Sequence, residues 1–317
     1  MKKGIILGID TSNYTTSVGA VDTDGGLIAN VKVPLPVKEG ERGLRQSDAV
    51  FAHTKNIPIA MEELKKHIGT DVPLAVGVSK RPRNVDGSYM PCFLSGVAAA
   101  SGISTTAHIP LYSFSHQCGH IMAAIYSSRR FDLLSKEFSA FHVSGGTTEM
   151  LRVSPMQDAF SAEIIGGTLD VNAGQLIDRV GVMMGLKFPA GPALEQLALE
   201  NKKKIPKRKV CAKEFYLNLS GLENVAKKLY DDTADKALTA AFILNSVSDA
   251  LIYLCDTYEA SHGKSEFLFA GGVMSNSIIK NKISARFAAS FAEPSLSADN
   301  AVGVAMLALR AYTSENK

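Results

Sequence analysis

One local pattern occurs twice in the sequence and restricts the fold more than any other feature. Residues 4–10 form an apolar run that ends in an acid, and after a polar turn residues 15–22 form a second run. Residues 138–153 repeat this order of strand, turn and strand. Short apolar runs bounded by turn residues are typical of buried strands. Because strand and helix patterns follow both copies, the sequence predicts an α/β protein with two duplicated lobes.

The rest of the chain alternates between the two kinds of pattern. Between the two copies, apolar spacing predicts a helix at residues 47–67, a strand at 74–79 and a helix at 92–104. After the second copy it predicts a strand at 160–165, helices at 170–185 and 233–258, a strand at 266–270 and a last helix at 300–312. The two prolines in residues 188–192 predict a turn there.

The composition is that of a large folded protein. The chain has 317 residues, of which 46% are hydrophobic, and this is enough to bury the cores of two lobes. No uninterrupted apolar run approaches the roughly 18 residues of a membrane span, and the first residues lack a signal-peptide pattern. The net charge of +3 is too small to indicate by itself that the protein binds nucleic acid. The four cysteines are scattered and form no CxxC pair. We therefore expect a cytoplasmic protein with reduced thiols.

Two histidines, His116 and His120, form a candidate metal site. They follow a short apolar run and precede a helical pattern, so they are expected on one helix face, where residues i and i+4 meet. Zinc peptidases have His-Glu-x-x-His, in which the Glu is the general base, but Gln117 here cannot accept a proton. A bound metal would therefore hold or polarise a ligand. The alternative is a pair of histidines that only form hydrogen bonds. Asp299 would complete a two-His, one-carboxylate site, or would only cap the last helix.

Three further segments are candidates for contacts with phosphate. The turn at residues 144–148 consists of Ser, Gly and Thr, whose backbone N–H groups can bind phosphate, although an ordinary hairpin has the same turn. Gly271 and Gly272 follow a predicted strand and would let a helix start approach a ligand closely. Residues 202–209 hold six cations in eight positions, which indicates a solvated loop or a contact with a phosphate backbone.

Taken in chain order, these motifs resemble those of the TsaD family, once called Gcp or O-sialoglycoprotein endopeptidase. Residues 8–12 are similar to its opening Gly-Ile-Glu-Thr-Ser, the two histidines to its metal pair, and residues 143–146 to its Val-Ser-Gly-Gly turn. The other matches are residues 168–178 with the Thr-Leu-Asp-Asp helix, 189–192 with Pro-Gly-Gly-Pro, 219–222 with Phe-Ser-Gly-Leu, 271–276 with Gly-Gly-Val-x-x-Asn, and 299–301 with Asp-Asn-Ala.

The resemblance implies a fold and an activity. The fold would be that of the actin, hexokinase and Hsp70-like (ASKHA) superfamily, with duplicated RNase H-like lobes. Residues 1–108 with 295–317 would form the N-terminal lobe and residues 109–294 the C-terminal lobe, with a nucleotide cleft between them. The activity would be that of a tRNA N6-adenosine threonylcarbamoyltransferase, which transfers threonylcarbamoyl from threonylcarbamoyl-AMP to adenosine of tRNA. A smaller homologous TsaB-like partner and a TsaE-like ATPase would assist it.

The resemblance also implies the site residues. One Fe or Zn ion would be held by His116, His120 and Asp299. ATP or threonylcarbamoyl-AMP would be bound by two groups of residues. The first holds the phosphate: His142, Val143, Ser144, Gly145 and Gly146. The second holds the adenosine part: Asp178, Gly191, Glu195 and Asn276, with Glu195 standing where many members have Asp.

The sequence also departs from the family pattern where an acceptor would bind. Asn13, Tyr14 and Thr15 replace a segment that carries two acids, and the family's Gly-Pro-Gly-Leu loop is Arg81, Pro82, Arg83 and Asn84 here. Such changes favour a divergent paralogue and leave three alternatives: a non-catalytic partner or scaffold that binds ATP or an adenylate, a transferase with another acceptor, and a sugar-kinase-like enzyme. The kinase would use Asp10 or Asp178 as its base, whereas Gln117 argues against a peptidase.

Overall fold

The computed structural model describes residues 4–12, 14–36, 44–157, 159–297 and 300–316. The strands in these ranges are β1 (Gly4–Asp10), β2 (Thr15–Asp22), β3 (Leu27–Pro34), β4 (Val72–Arg81), β5 (Leu111–Ser115), β6 (Phe138–Val143), β7 (Thr148–Pro155), β8 (Phe160–Thr168), β9 (Ala212–Lys213), β10 (Tyr216–Leu217), β11 (Glu266–Ala270) and β12 (Ala288–Phe291). The helices are α1 (Gln46–Ile68), α2 (Phe93–Ala107), α3 (His116–Ser128), α4 (Ala173–Met183), α5 (Gly191–Glu200), α6 (Ser220–Thr233), α7 (Lys236–His262), α8 (Ser277–Ser284), α9 (Pro294–Ser297) and α10 (Val302–Glu315). Short 3₁₀ helices occur at Phe131–Ser135 and Gly272–Ser275.

The chain divides into two compact units. Unit 1 consists of Met1–Ser135, Ser154–Ala162 and Ser295–Lys317, and unit 2 consists of Lys136–Val153 and Glu163–Pro294. We expected the first segment of the N-terminal lobe to end at residue 108, but the first segment of unit 1 continues to Ser135. The difference arises because β5 pairs with β4 and α3 packs on α10, and both partners belong to unit 1.

Unit 1 is built on a five-stranded sheet in the order β3-β2-β1-β4-β5. The first three strands form an antiparallel meander, and β4 and β5 continue the sheet in parallel with β1. The central strand β1 is buried along nearly its whole length, as its unbroken apolar sequence predicts. The carboxyl ends of β1, β4 and β5 therefore meet at one edge of the sheet.

Unit 2 repeats this strand order. Its sheet runs β12-β11-β6-β7-β8-β10-β9, so the segment β8-β7-β6-β11-β12 corresponds to β3-β2-β1-β4-β5 of unit 1. The pair β6 and β7 is antiparallel, and β6, β11 and β12 are parallel, as in the first copy. The duplication predicted from the repeated strand-turn-strand pattern is confirmed.

Helix α7 is the core helix of unit 2. Its apolar residues face several directions because α5, α6 and α8 all pack against it. By length and composition α7 is long and apolar enough to cross a membrane, but 78% of its apolar stretch is buried within the structure. A helix that is apolar all round is expected at the centre of a large domain.

Several elements of unit 2 were not predicted, among them α5, α6 and α8. Residues 188–192 were expected to form a turn, but α5 already begins at Gly191. The reason is that Pro192 lies in the first helical turn, where its missing N–H and fixed φ angle are tolerated. The prolines therefore mark the start of a helix as well as a turn.

The contact between α3 and α10 depends on two glycines. A Cβ atom on Gly303 would lie 1.9 Å from the carbonyl oxygen of Gly119 and 2.8 Å from the backbone nitrogen of Ala123. Both neighbours are backbone atoms, so they cannot turn aside as a side chain could. Two helices can approach this closely only where no side chain intervenes.

We therefore expect Gly303→Ala to destabilise the protein by about 3 kcal/mol, because overpacking forces the helix backbones apart. The matched control is Gly102→Ala, since Gly102 is an exposed residue of α2 with no atom within 4 Å of the added Cβ. This control should gain roughly 0.5–1 kcal/mol from the higher helix propensity of alanine. Urea denaturation followed by circular dichroism measures both changes, and equal midpoints for the two variants would contradict the prediction.

Candidate functional site

The two histidines of the predicted metal pair lie at the start of α3. Ser115 caps the helix, because its hydroxyl accepts a hydrogen bond from the backbone N–H of Cys118 at 3.2 Å. The rings of His116 and His120 meet edge to face with centroids 4.3 Å apart. The predicted shared helix face is thus confirmed. Cys118 points elsewhere, is 1% exposed, and donates its thiol hydrogen to the carbonyl of Phe160.

Asp10, at the end of β1, holds the first of these rings. Its Oδ2 lies 2.8 Å from Nδ1 of His116, and its carboxylate also accepts hydrogen bonds from the hydroxyls of Ser12 and Ser79. Burial by itself would raise the pKa of Asp10. The charge of His116 and the hydrogen bonds from His116, Ser12 and Ser79 outweigh burial and hold the pKa well below its usual range. Asp10 is therefore an ionised carboxylate that is 1% exposed.

This arrangement has the chemistry of a histidine prepared to bind metal. When Nδ1 donates its hydrogen to a carboxylate, the lone pair of the neutral ring is on Nε2, and such carboxylate–histidine pairs accompany most metal-binding histidines. The two imidazoles are therefore candidate ligands for a metal ion. No cluster of three or more His, Cys, Asp or Glu side chains able to hold a metal occurs within the described ranges. The third predicted ligand, Asp299, lies outside the described residues, as does Asn13.

The predicted phosphate turn of unit 2 connects β6 to β7. Its first residue, Ser144, donates its backbone N–H to the carbonyl of Thr147 at 2.7 Å, and its hydroxyl accepts from the N–H groups of Gly146 and Thr147. Gly145 and Gly146 have open space where a Cβ would be, so their backbone is uncovered by side chains. His142 and Val143 form the end of β6 that leads into this turn.

Two close backbone contacts fix the position of this turn. A Cβ atom on Gly174, at the start of α4, would lie 2.6 Å from the nitrogen of Gly145. A Cβ atom on Gly271 would lie 2.3 Å from the carbonyl oxygen of Val143, and Gly271 has a φ of 102°, which favours glycine. The glycines therefore let α4 and the end of β11 reach the turn directly.

A pocket of about 280 Å³ lies beside the turn, wholly within unit 2. Five of the nine predicted nucleotide residues line it: Gly145, Asp178, Gly191, Glu195 and Asn276. The other four, His142, Val143, Ser144 and Gly146, belong to the strand and turn that carry Gly145. Residues from four separate parts of the chain thus converge on one cavity.

The pocket also has lining residues beyond the nine predicted nucleotide residues, and of these only Gly272 was singled out from the sequence. Ile177 and Val273 give it apolar walls, and the others are Gly174, Pro189, Pro192, Gly272 and Ser275. Gly174 lies one helical turn before Asp178, so helical spacing from the predicted site residue would have found it. Pro189 and Pro192 flank Gly191 within a motif already noted.

The carboxylates of the pocket also hold its loops. Asp178 accepts the backbone N–H of Ala190 at 2.7 Å, which fixes the start of α5. Glu195 accepts the backbone N–H of Ser277 at 2.7 Å and also the hydroxyl of Ser277. Asn276 caps α8 through the N–H of Ile279. A carboxylate oxygen at a nucleotide pocket typically accepts a hydrogen bond from a ribose hydroxyl.

Asp170, in the segment similar to Thr-Leu-Asp-Asp, has a structural role. Its carboxylate accepts the backbone N–H groups of Val171, Leu219 and Ser220 and the hydroxyl of Ser220. Burial opposes ionisation, but these hydrogen bonds dominate and lower the pKa of Asp170 to about 2. Asp170 therefore joins the start of α4 to the start of α6.

Comparison with known proteins identifies relatives along most of the chain. A protein of Thermotoga neapolitana named tRNA N6-adenosine threonylcarbamoyltransferase is 27% identical over 95% of this chain and 92% of its own length. A protein of Bacillus thuringiensis with the same name is 31% identical over 90% of this chain and 83% of its own length.

Solved structures with the same fold are more distant in sequence. Component A of the (R)-2-hydroxyglutaryl-CoA dehydratase of Acidaminococcus fermentans matches with a TM-score of 0.54 and 14% identity over 99% of both chains. A ROK family glucokinase from Streptomyces griseus matches with a TM-score of 0.50 and 14% identity over 96% of this chain and 99% of its own. These likenesses show the fold alone, and they confirm the predicted α/β fold of the ASKHA superfamily.

The family comparison completes this description. The sequence model of the family described as "TsaD: tRNA N6-adenosine threonylcarbamoyltransferase" matches residues 37–306, which is most of the chain. Both relatives carry the name that describes this family. The chain therefore belongs to the TsaD family.

Proposed function

We propose that this protein transfers a threonylcarbamoyl group from threonylcarbamoyl-AMP to N6 of adenosine in tRNA. The observation that carries the proposal is the convergence of Gly145, Asp178, Gly191, Glu195 and Asn276 on one pocket in a chain of the TsaD family. A scaffold that binds ATP would keep this pocket as well, so the choice between the two rests on the family, whose model and relatives are described as transferases. The family relationship therefore favours an active transferase over that alternative.

In this proposal the pocket of unit 2 binds the adenylate part of the donor. Asp178 and Glu195 accept hydrogen bonds from ribose hydroxyls, and the apolar walls of Ile177 and Val273 lie against the base. The turn that carries Gly145 and Gly146 lies against the phosphate, because small residues let an anion approach the backbone. Each role uses atoms that border the pocket or its turn.

The histidine pair would hold the metal that members of this family use. His116, His120 and Asp299 are its proposed ligands, and Asp10 orients the first ring. A bound Fe or Zn ion supplies positive charge that stabilises developing negative charge on a carbonyl or phosphate oxygen.

The reaction needs little acid–base assistance from side chains. The bond that forms joins N6 of adenosine to the carbamoyl carbon, and the bond that breaks joins this carbon to the phosphate oxygen of AMP. AMP leaves with the bonding electron pair, while the proton of the attacking amine passes to water. The chain's contribution is to position the donor and to stabilise the charge of the leaving phosphate through backbone N–H groups.

Family members generally work within a multi-protein complex for tRNA modification. We propose a smaller TsaB-like partner and a TsaE-like ATPase for this chain, and a cytoplasmic location. The cations of residues 202–209 would favour contact with the tRNA backbone.

The histidine pair is tested by metal content. His116→Ala should purify with far less Fe or Zn per chain than the native protein, because it removes one of the two imidazoles on the shared helix face. Asp10→Asn should lower metal affinity roughly 10- to 100-fold, since it removes the carboxylate that orients His116. The control is His67→Ala, an exposed histidine at the end of α1. Elemental analysis by mass spectrometry measures all three, and full metal content in His116→Ala would exclude the site.

The nucleotide pocket is tested by a substitution that places a larger side chain in it. Gly272 lines the pocket and has open space at the position of a Cβ, so Gly272→Val should place two methyl groups in the cavity without strain elsewhere. We expect ATP binding to weaken roughly tenfold or more, which is about 1.4 kcal/mol or more. Gly102→Val is the control, because Gly102 also faces open space but borders no nucleotide residue. Isothermal titration calorimetry decides, and unchanged affinity in Gly272→Val would contradict the assignment.

The activity is tested by reconstitution. The purified chain is incubated with tRNA, threonine, bicarbonate, ATP and a threonylcarbamoyl-AMP synthetase, with and without a TsaB-like partner. We expect threonylcarbamoyladenosine in nucleosides digested from the tRNA, detected by mass spectrometry, and less of it when Gly272→Val replaces the native chain. Absence of product in every pairing, with ATP binding intact, would support the scaffold alternative instead.

A further inference from the structure

A second cavity, of about 620 Å³, lies within unit 2 beside the basic segment, which we define as residues 202–209. Lys207, Arg208 and Lys209 line it together with residues near the starts of β9 and α6 and with two residues of α7. Its volume is within the range of about 300–1,000 Å³ that is typical of ligand pockets. These residues are separate from those of the nucleotide pocket, so the cavity needs an explanation of its own.

Contacts on both sides hold the basic segment in place. Near its start Lys203 forms an ion pair with Asp235 at 2.7 Å, and Asp235 also caps α7. Just past its end Val210 packs against the hydrophobic core of unit 2. The carbonyl of Cys211 then accepts the backbone N–H of Asn218 at 2.9 Å. The cations between these contacts therefore project from a backbone that is anchored on both sides.

The positive charge at the cavity is not neutralised by the described residues. Within these ranges Lys203 is the one member of the basic segment that forms an ion pair. Glu214 is exposed at the turn between β9 and β10 and does not pair with the segment. Three further carboxylates lie next to lining residues, and each already has a cation or several hydrogen-bond donors. They are Asp170 with the backbone N–H groups of Val171, Leu219 and Ser220, Asp249 with Lys282, and Glu223 with Arg179.

The interior of the cavity differs from that of a simple anion site. Val210 and Leu222 give it apolar walls, while the side-chain amide of Asn218 has no hydrogen-bond partner among the described residues. The hydroxyl of Ser246 donates to the carbonyl of Phe242 at 2.8 Å, so its oxygen can still accept a hydrogen bond. A free phosphate would leave the apolar walls without a contact. A flat group with apolar faces and polar edges, joined to several phosphates, would satisfy all parts of the cavity.

We propose that this cavity binds an unpaired nucleotide of RNA. The phosphates on either side of the nucleotide contact Lys207, Arg208 and Lys209, and its base enters the cavity, where Asn218 forms a hydrogen bond with the base edge. In a duplex the bases are stacked and their edges are paired, so a single-stranded segment has to supply such a base. Given the transfer reaction proposed above, on which this part of the inference rests, the RNA is the tRNA acceptor.

The phosphate contacts are tested with a short oligouridylate, which has no secondary structure of its own. The test variant replaces the three cavity cations together, as Lys207→Gln, Arg208→Gln and Lys209→Gln. We expect it to bind roughly tenfold more weakly or worse, and the slope of log K against log salt to fall by roughly 2, because each phosphate contact of a single strand contributes about 0.7.

The matched control removes the same charge from exposed cations of α6 and α7, as Lys227→Gln, Lys228→Gln and Lys236→Gln. This control should bind with native affinity and native salt slope. Fluorescence anisotropy across a salt series measures both triple variants, and circular dichroism confirms that each is folded. Equal losses of affinity in the two variants would overturn the proposal.

The base site is tested separately by Gly221→Leu. Gly221 lines the cavity and has no atom within 4 Å of an added Cβ, so leucine narrows the cavity without a clash. We expect oligouridylate to bind roughly tenfold more weakly with an unchanged salt slope, since the base loses its site while the phosphate contacts remain. Gly102→Leu is the control, because Gly102 has the same open surroundings but belongs to α2 of unit 1.

A duplex shows whether the base has to be unpaired. The same strand annealed to oligoadenylate should bind the native protein and Gly221→Leu equally, because its bases cannot enter the cavity. Equal losses for duplex and single strand would overturn the proposal, and so would an unchanged affinity of oligouridylate for Gly221→Leu.

Cys211 reports directly whether the cavity is occupied. It lines the cavity and is exposed, whereas Cys92, Cys118 and Cys255 are buried, so N-ethylmaleimide should react with Cys211 selectively. Bound oligouridylate should slow this reaction in the native protein but not in the variant without the cavity cations. Mass spectrometry measures the alkylation, and an undiminished rate at saturating RNA would overturn the proposal.

These binding experiments need no turnover, so their result is separate from that of the reconstitution. Binding of oligouridylate in the cavity without any threonylcarbamoyladenosine would overturn the transfer reaction but leave the RNA site. Product at the native level from the variant without the cavity cations would leave the transfer reaction and exclude tRNA as the RNA of this site.

Discussion

The buried carboxylate of Asp10 is the interaction on which unit 1 depends. It lies at the end of β1 and accepts hydrogen bonds from Ser79 at the end of β4 and from His116 at the start of α3. A buried charge is tolerated only when it is fully satisfied, so these three elements are held in one arrangement. The same bond that offsets the cost of burying Asp10 also fixes the ring of His116. The stability of unit 1 and the orientation of His116 therefore both depend on the carboxylate of Asp10.

Much of the fold was predictable because its signals are local. The apolar runs of β1 and β11 and the apolar spacing of α1 and α7 each depend on residues close together in sequence. The division into units was less predictable, because it depends on contact between Gly119 and Gly303, which are far apart in the chain. Pattern alone cannot show which distant backbones touch. Helix α5 was missed for the opposite reason, since its proline signal fits two local structures.

The candidate site was likewise predictable only in part. Its glycine motifs were visible in the sequence because a close backbone approach requires that residue type, and five of the predicted nucleotide residues line one pocket. The role of Asp170 was not visible, because its partners Leu219 and Ser220 lie on another element. Nor could the sequence show that Asn84 holds Arg81, since two polar residues in a loop have many possible partners. Pairings of this kind depend on the folded chain.

The contact of Gly271 with the end of β6 has a consequence for how this protein can change over time. The packing there is main chain against main chain, with the carbonyl of Val143 where any side chain at 271 would be. Surfaces formed by backbone keep their shape whatever the surrounding side chains become. Side chains at neighbouring positions can therefore be substituted without altering this backbone contact. A single added methyl group at 271, in contrast, would displace both segments. Position 271 therefore requires glycine, whereas the positions around it tolerate substitution.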